Sequence, residues 1–208
     1  MRHEQWIAYL ERVLATAQIG LTYSKDRYDI ARFETLRKET ASILASGANL
    51  EEGDVMDWLR LDKHYVTPKM DVRAIVLEGD DRVLFVREAQ DGLWTLPGGW
   101  CDVGESAGDA VTRETEEETG LSVEAVRLLA LFDKRKHPHP PQIPHAFKAF
   151  FWCRVVGGSL RAQTDETTDA RYWSIEALPE LSLHRVLPEQ VRVLVDRLKR
   201  GERETLFD

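Results

Sequence analysis

The chain has 208 residues, 43% hydrophobic and 31% charged, with 28 Lys+Arg against 36 Asp+Glu and a formal net charge of −8. That is enough apolar material for one large domain, or an ordinary domain with a small companion, and charge is too evenly mixed with apolar residues for disorder. The acidic balance argues against stable DNA binding, which draws its energy from Lys and Arg neutralising phosphates; phosphate-bearing small molecules stay open, because carboxylates can hold a divalent cation.

No apolar run approaches the ~18 residues that span a bilayer. Met1 to Trp6 contains no apolar core followed by a small-residue cleavage site, so a soluble, cytoplasmic protein that does not engage membranes is expected. Cys101 and Cys153 show no C-x-x-C spacing and read as two reduced thiols. From the N-terminus, Trp6, Leu10, Val13, Leu14 and Ala17 recur at helical spacing, with Gly20 placed to end the helix. A second helix is expected after Ser24 as N-cap, carrying Ile30, Phe33 and Leu36 inward and running towards Gly47, with a short third one around Val55, Trp58 and Leu59. Thr67 precedes Pro68 and is pushed out of the helical region, so residues 1–66 read as a small helical N-terminal domain.

Residues 67–208 have a different texture. Residues 72–77 and 83–86 are apolar, β-branched runs around Gly79-Asp80-Asp81, a hairpin signal. Further strands are expected over residues 93–96, 123–132, 147–155 and 170–173, with one helix over about 106–119. A last helix follows Pro188, with Val191, Leu194, Val195 and Leu198 on one face before Gly201. The fold class is α+β with a mixed sheet. His137-Pro138-His139-Pro140-Pro141 is a stiff, helix-breaking loop between two of the strands.

The helix after Gly98-Gly99-Trp100-Cys101-Asp102-Val103-Gly104-Glu105 carries the chemistry. Ser106 suits its N-cap, with Asp109 three residues on, and Gly120 suits its close. At about 100° per residue, Ala107, Ala110 and Val111 form the core face, while Asp109, Thr112 and Glu116 face solvent. Glu114, Glu117 and Glu118 fall in the arc of the core face. Three carboxylates turned inward repel one another and resist desolvation unless a cation compensates. An all-oxygen set without Cys or an in-register His favours Mg²⁺ or Mn²⁺ over zinc. A plain glutamate-rich solvated helix is the alternative, and the glycine-rich approach and the sidedness weigh against it.

Gly99, Glu105, Arg113-Glu114, Glu117-Glu118 and Gly120-Leu121 resemble the Nudix box, G-x5-E-x7-R-E-U-x-E-E-x-G-U, with Thr115 standing where that family prefers an aliphatic residue. The resemblance implies a Nudix α/β/α sandwich that hydrolyses a nucleoside diphosphate linked to another moiety. It implies Glu114, Glu117 and Glu118 as metal ligands helped by the Gly99 carbonyl, Arg113 as the residue orienting a glutamate, and Glu105 as part of the loop-helix-loop. Glu114 is the expected base, with Glu166, outside the box, as the other candidate. Residues 17–26 and 133–141 are similar to bacterial Nudix proteins of the CDP-choline pyrophosphatase group, which implies a homodimer and a CDP-alcohol such as CDP-choline as substrate. ADP-ribose is the second substrate reading, and processing of RNA ends a third.

Lys134, Arg135, Lys136, His137, His139 and His145 form a local basic loop suited to a substrate phosphate, or else a solvated connector stiffened by prolines. His137 and His139 as a zinc pair is a weaker reading, lacking companion ligands in sequence. Trp94 and Trp100 are expected to pack in the core rather than stack on a base. A catalytically inactive Nudix ligand sensor, with the helices binding DNA, is the alternative of another class. Intact carboxylates and the acidic residues Asp26, Asp29, Glu34 and Glu39 among the helical bases argue against it.

Overall fold

The structure, a computed structural model, describes residues 3–48, 66–140, 144–161, 163–164 and 167–208. The expected helix around Val55, Trp58 and Leu59, the loop residue Pro141 and the candidate Glu166 lie outside the described residues. The chain divides into two compact units, Met1–Pro68 with Pro141–Pro144, and Lys69–Pro140 with His145–Asp208.

In the first unit, α1 (His3–Tyr23) and α2 (Arg27–Ala48) form an antiparallel pair. Ile7, Leu10 and Leu14 bury against Ala41, Leu44 and Ala45. The small alanines let the helices approach closely. Gly20 does not end α1. The helix runs on to Tyr23, and a Cβ at Gly20 would lie 2.6 Å from the Phe33 ring, so the glycine marks close helix contact rather than a helix end. The cap of α2 likewise falls on Asp26, whose Oδ1 accepts the Tyr28 and Asp29 N–H groups at 2.9 and 3.1 Å, since Ser24 N–H is still bonded to Gly20 O. Trp6, Tyr9, Tyr23, Tyr28, Leu36 and Ile43 stay exposed, more apolar surface than two helices can cover between themselves.

The second unit is a mixed sheet between helices. Its strands are β1 (Lys69–Glu78), β2 (Arg82–Glu88), β3 (Trp94–Thr95), β4 (Leu121–Asp133), β5 (Ala146–Gly158), β6 (Thr167–Ser174) and β7 (Leu206–Phe207). Their order is β3-β2-β1-β5-β4-β7, with β6 also paired to β2; β1 runs parallel to β5, and β4 antiparallel to it. Strand β1 is buried on both faces, which explains its apolar run from Ala74 to Leu77, although the buried stretch before it includes Asp71 and Arg73. On one face Val72, Ala74 and Val76 meet Ala110 and Val111 of α3 (Ala107–Thr119). On the other, Ile75 and Phe150 meet Val191, Leu194 and Val195 of α4 (Pro188–Lys199). Among the described residues no helix is long and apolar enough to cross a membrane.

Gly20→Ala is expected to destabilise the helical unit by about 1 kcal/mol. A gain of ~1 kcal/mol in helix propensity is outweighed by ~1–3 kcal/mol of overpacking against Phe33. Adding Phe33→Leu should recover the loss. Thermal unfolding of both variants checks this, and an undiminished Tm for Gly20→Ala alone would refute the close-contact account.

Candidate active site

The segment before α3 is seated on β1. Val72 N–H donates to Gly99 O at 2.8 Å, Ala74 N–H to Pro97 O at 2.8 Å, and Cys101 N–H to Met70 O at 3.0 Å. Gly98, at φ 134°, is required here: a Cβ would lie 2.0 Å from Val72 O. The chain then turns into α3 through a capping box, with Ser106 Oγ accepting Asp109 N–H at 3.1 Å and Asp109 Oδ2 accepting Ser106 N–H at 3.3 Å. Thr115 is fully buried and tolerated because its hydroxyl donates to Val111 O at 2.7 Å, so the departure from an aliphatic residue leaves no unpaired polar group.

Arg113 organises the glutamates. Its Nε and Nη2 donate to both oxygens of Glu105 at 2.6 and 3.0 Å, and its Nη1 donates to Glu114 at 3.0 Å and Glu117 at 2.8 Å. Those bonds hold the guanidinium pKa above its ordinary value and the Glu105 carboxyl below its own. Glu118 is buried and accepts the Gly98 N–H at 2.9 Å. Burial pushes its carboxyl up to about 8, in spite of the Arg73 charge and that hydrogen bond. Glu114 is also raised, chiefly by burial, and its carboxylate fills the space where a Gly99 Cβ would stand, 2.8 Å from Oε2. Glu116 is exposed as expected, but so is Glu117, at 55% for its side chain, so of the three glutamates expected in the core-facing arc Glu118 is buried, Glu114 intermediate and Glu117 open to solvent.

Among the described residues, no three His, Cys, Asp or Glu side chains close into a ready-made metal cluster. Arg113 draws Glu114 and Glu117 towards itself, and Glu118 turns to Gly98. The donor chemistry nevertheless fits a hard divalent ion. Oxygens alone are present, a buried carboxyl lacks sufficient countercharge, and glycine at position 99 leaves the backbone close to Glu114.

Beneath this segment lies a buried ion network that the sequence reading missed. Arg73 donates to the two Asp71 oxygens at 2.9 and 3.0 Å and to Leu96 O at 3.1 Å, while Lys148 Nζ lies 2.9 Å from Asp71. Burial alone would raise the Asp71 carboxyl, yet the two cations hold it well below its usual range; burial lowers Lys148 to about 8. Glu88, at the end of β2, pairs with Arg185 Nε at 2.8 Å. The available signal was two charges alternating with apolar residues in the central strand.

The basic loop is divided in its exposure. Lys134 is buried and lowered to about 7, mainly by burial, whereas Arg135 and Lys136 are exposed. His139 is buried, with Nδ1 2.7 Å from Leu183 O, and burial lowers it to about 4. His137 Nε2 lies 3.2 Å from Asp208, so the two rings serve different partners and do not converge on a shared ligand site. Trp94 packs edge-on against Trp173 at 5.3 Å, while Trp100 is about half exposed (47%) beside the glycine segment.

The NUDIX domain pattern matches residues 67–194, and a pattern described as a UDP-X-like, N-terminal oligomerisation domain matches residues 4–59. The chain is 40% identical over 204 residues to a putative ADP-ribose pyrophosphatase of Bacillus subtilis, covering 98% of this chain and 97% of that protein. Among solved structures, a UDP-X diphosphatase is 33% identical with a TM-score of 0.64, covering 100% of both chains. An ADP-ribose pyrophosphatase from Streptococcus suis is 41% identical with a TM-score of 0.61, covering 68% of this chain and 100% of that one. An intact box on a helix seated against its own sheet, and similarity along the whole chain, lead to one conclusion: this protein belongs to the Nudix family and is a hydrolase of phosphorus-containing anhydrides.

Proposed function

We propose that the protein is an Mg²⁺-dependent diphosphatase for a nucleoside diphosphate linked to another moiety, with ADP-ribose as the first substrate to test and Mn²⁺ as a second activating ion. The observation that carries this reading is the grouping of Glu114, Glu117 and Glu118 on one stretch of α3, with Arg113 bonded to two of them. Support for ADP-ribose comes from the names of two relatives near 40% identity, one of them putative. CDP-choline follows from the segments at 17–26 and 133–141.

On this reading, Glu114, Glu117, Glu118 and the Gly99 carbonyl would hold the cation, which when bound would neutralise the diphosphate and lower the pKa of an attacking water. Glu114 would accept the proton of the attacking water, with Glu166 as the competing base. Arg113 fixes Glu114 and Glu117, and Glu105 fixes Arg113. The exposed Arg135 and Lys136 meet the anionic substrate, while Lys134 and His139 support the loop from beneath.

Phosphate release with Mg²⁺, coupled to a phosphatase, across ADP-ribose, CDP-alcohols and short RNA tests the substrate assignment; turnover of none of them would overturn the diphosphate reading. Glu118→Gln keeps an acceptor for Gly98 N–H and is expected to fold while losing at least about 100-fold in kcat, the scale of removing one electrostatic stabiliser. Glu116→Gln should be nearly silent. Unchanged turnover and Mg²⁺ dependence in Glu118→Gln would remove the ligand assignment.

The helical unit, residues 1–66, is proposed to join two copies of the chain as a homodimer, covering exposed side chains such as Trp6, Tyr9, Leu36 and Ile43. Sedimentation of the full chain at micromolar concentration should give the dimer mass, and a monomer there contradicts the proposal.

A further inference from the structure

The matched Nudix segment ends at residue 194, within α4, but the chain beyond it returns to the sheet. Arg127 Nη1 donates to Glu202 O at 2.7 Å, and Thr205 Oγ1 donates to Leu128 O at 2.9 Å. Leu206 and Phe207 then pair in parallel with Ala130 and Leu131, covering the outer edge of β4. This register delivers Asp208 to the point where β4 stops and the 3₁₀ turn Lys134–Lys136 begins. Its Oδ2 accepts the Asp133 N–H at 2.7 Å and lies 3.2 Å from His137 Nε2.

Asp133 in turn accepts the Arg135 N–H through Oδ1 at 2.9 Å, and the same oxygen lies 2.8 Å from His145 Nε2. The His137 ring rests on Phe132, with centroids 4.4 Å apart. Asp208 therefore touches the residues on both sides of the basic turn. All three side chains are largely withdrawn from solvent, at 20% for Asp133, 22% for His137 and 20% for Asp208. A turn held at both ends loses less freedom when a ligand binds than one held at neither.

We propose that Asp208 is a positioning residue: the returning strand β7 brings its carboxylate to lock the turn Lys134–Lys136 in the shape that presents Arg135 and Lys136 to the anionic part of the substrate. This rests on the reading of the basic turn as a substrate contact. Residues 205–208 then belong to substrate binding, although they touch none of the box glutamates.

Steady-state kinetics of the full chain with ADP-ribose and Mg²⁺, with CDP-choline in parallel, test it. Asp208→Ala is expected to raise KM roughly two- to tenfold, the range that ordering one rotamer-rich side chain spans, with kcat retained. Asp208→Asn, which keeps an acceptor for Asp133 N–H, should fall between wild type and Asp208→Ala. The pair Arg135→Ala/Lys136→Ala should raise KM by itself, and adding Asp208→Ala to the pair should raise it no further. A merely structural role would give a lower Tm with KM unmoved, or effects that add in the combined variant, and either result overturns the proposal. If the pair raises KM while Asp208→Ala leaves it at the wild-type value, the positioning role is wrong and the substrate reading of the turn stands. If the pair itself changes nothing, both fall.

Discussion

Gly98 gives its N–H to the buried carboxylate of Glu118 while the residues around it are bonded to β1, so one short segment ties the central strand to the box helix. Neither half of that arrangement tolerates much change. A side chain at position 98 would run into Val72 O, and a shift of β1 would move three backbone hydrogen bonds at once. Because β1 is buried on both faces, packing of α3 from one side and α4 from the other fixes the strand, and through it the depth at which Glu118 sits. The site thus inherits its geometry from the sheet rather than from the loop alone.

Two arginines divide the electrostatic work. Arg113 lies on the open side and gathers Glu105, Glu114 and Glu117 by direct hydrogen bonds. Arg73 lies beneath, committed to Asp71 and the Leu96 carbonyl, and acts on Glu118 only through its field. Breaking such a buried pair by removing one partner costs ~3–5 kcal/mol, so Asp71, Arg73 and Lys148 belong to the rigidity of the segment that carries Gly98 and Gly99.

The box, the positions of every strand but β7 and the two helices flanking the sheet were legible from the sequence because each rests on a local pattern: alternating or continuous apolar runs, a capping pair, a fixed spacing of glutamates. Gly20 and Ser24 were misread for the opposite reason. A glycine that ends a helix and a glycine that admits a neighbouring ring look alike in sequence, and only the position of Phe33 separates them. The Asp71–Arg73–Lys148 network was hidden because Lys148 lies far along the chain from Asp71 and Arg73 and comes opposite Asp71 only when β1 and β5 pair. The basic loop was visible as a run of charge, but its division into buried Lys134 and exposed Arg135 and Lys136 depends on which way the 3₁₀ turn faces.

That division bears on how an acidic protein handles an anionic substrate. With a net charge of −8 and a helix crowded with glutamates, an approaching diphosphate meets repulsion unless positive charge is held near it. Arg113 is largely neutralised by the glutamates it orients, and Arg73 and Lys148 are both buried and committed to Asp71. Arg135 and Lys136 are exposed to solvent. On the proposed reading, the metal and this turn therefore have complementary tasks. A metal held by the glutamates would compensate the carboxylates and the diphosphate together, whereas the turn would supply attraction that does not depend on the metal being present. Holding that turn still would then govern affinity more than turnover, because on that reading its charges would attract substrate and transition state alike.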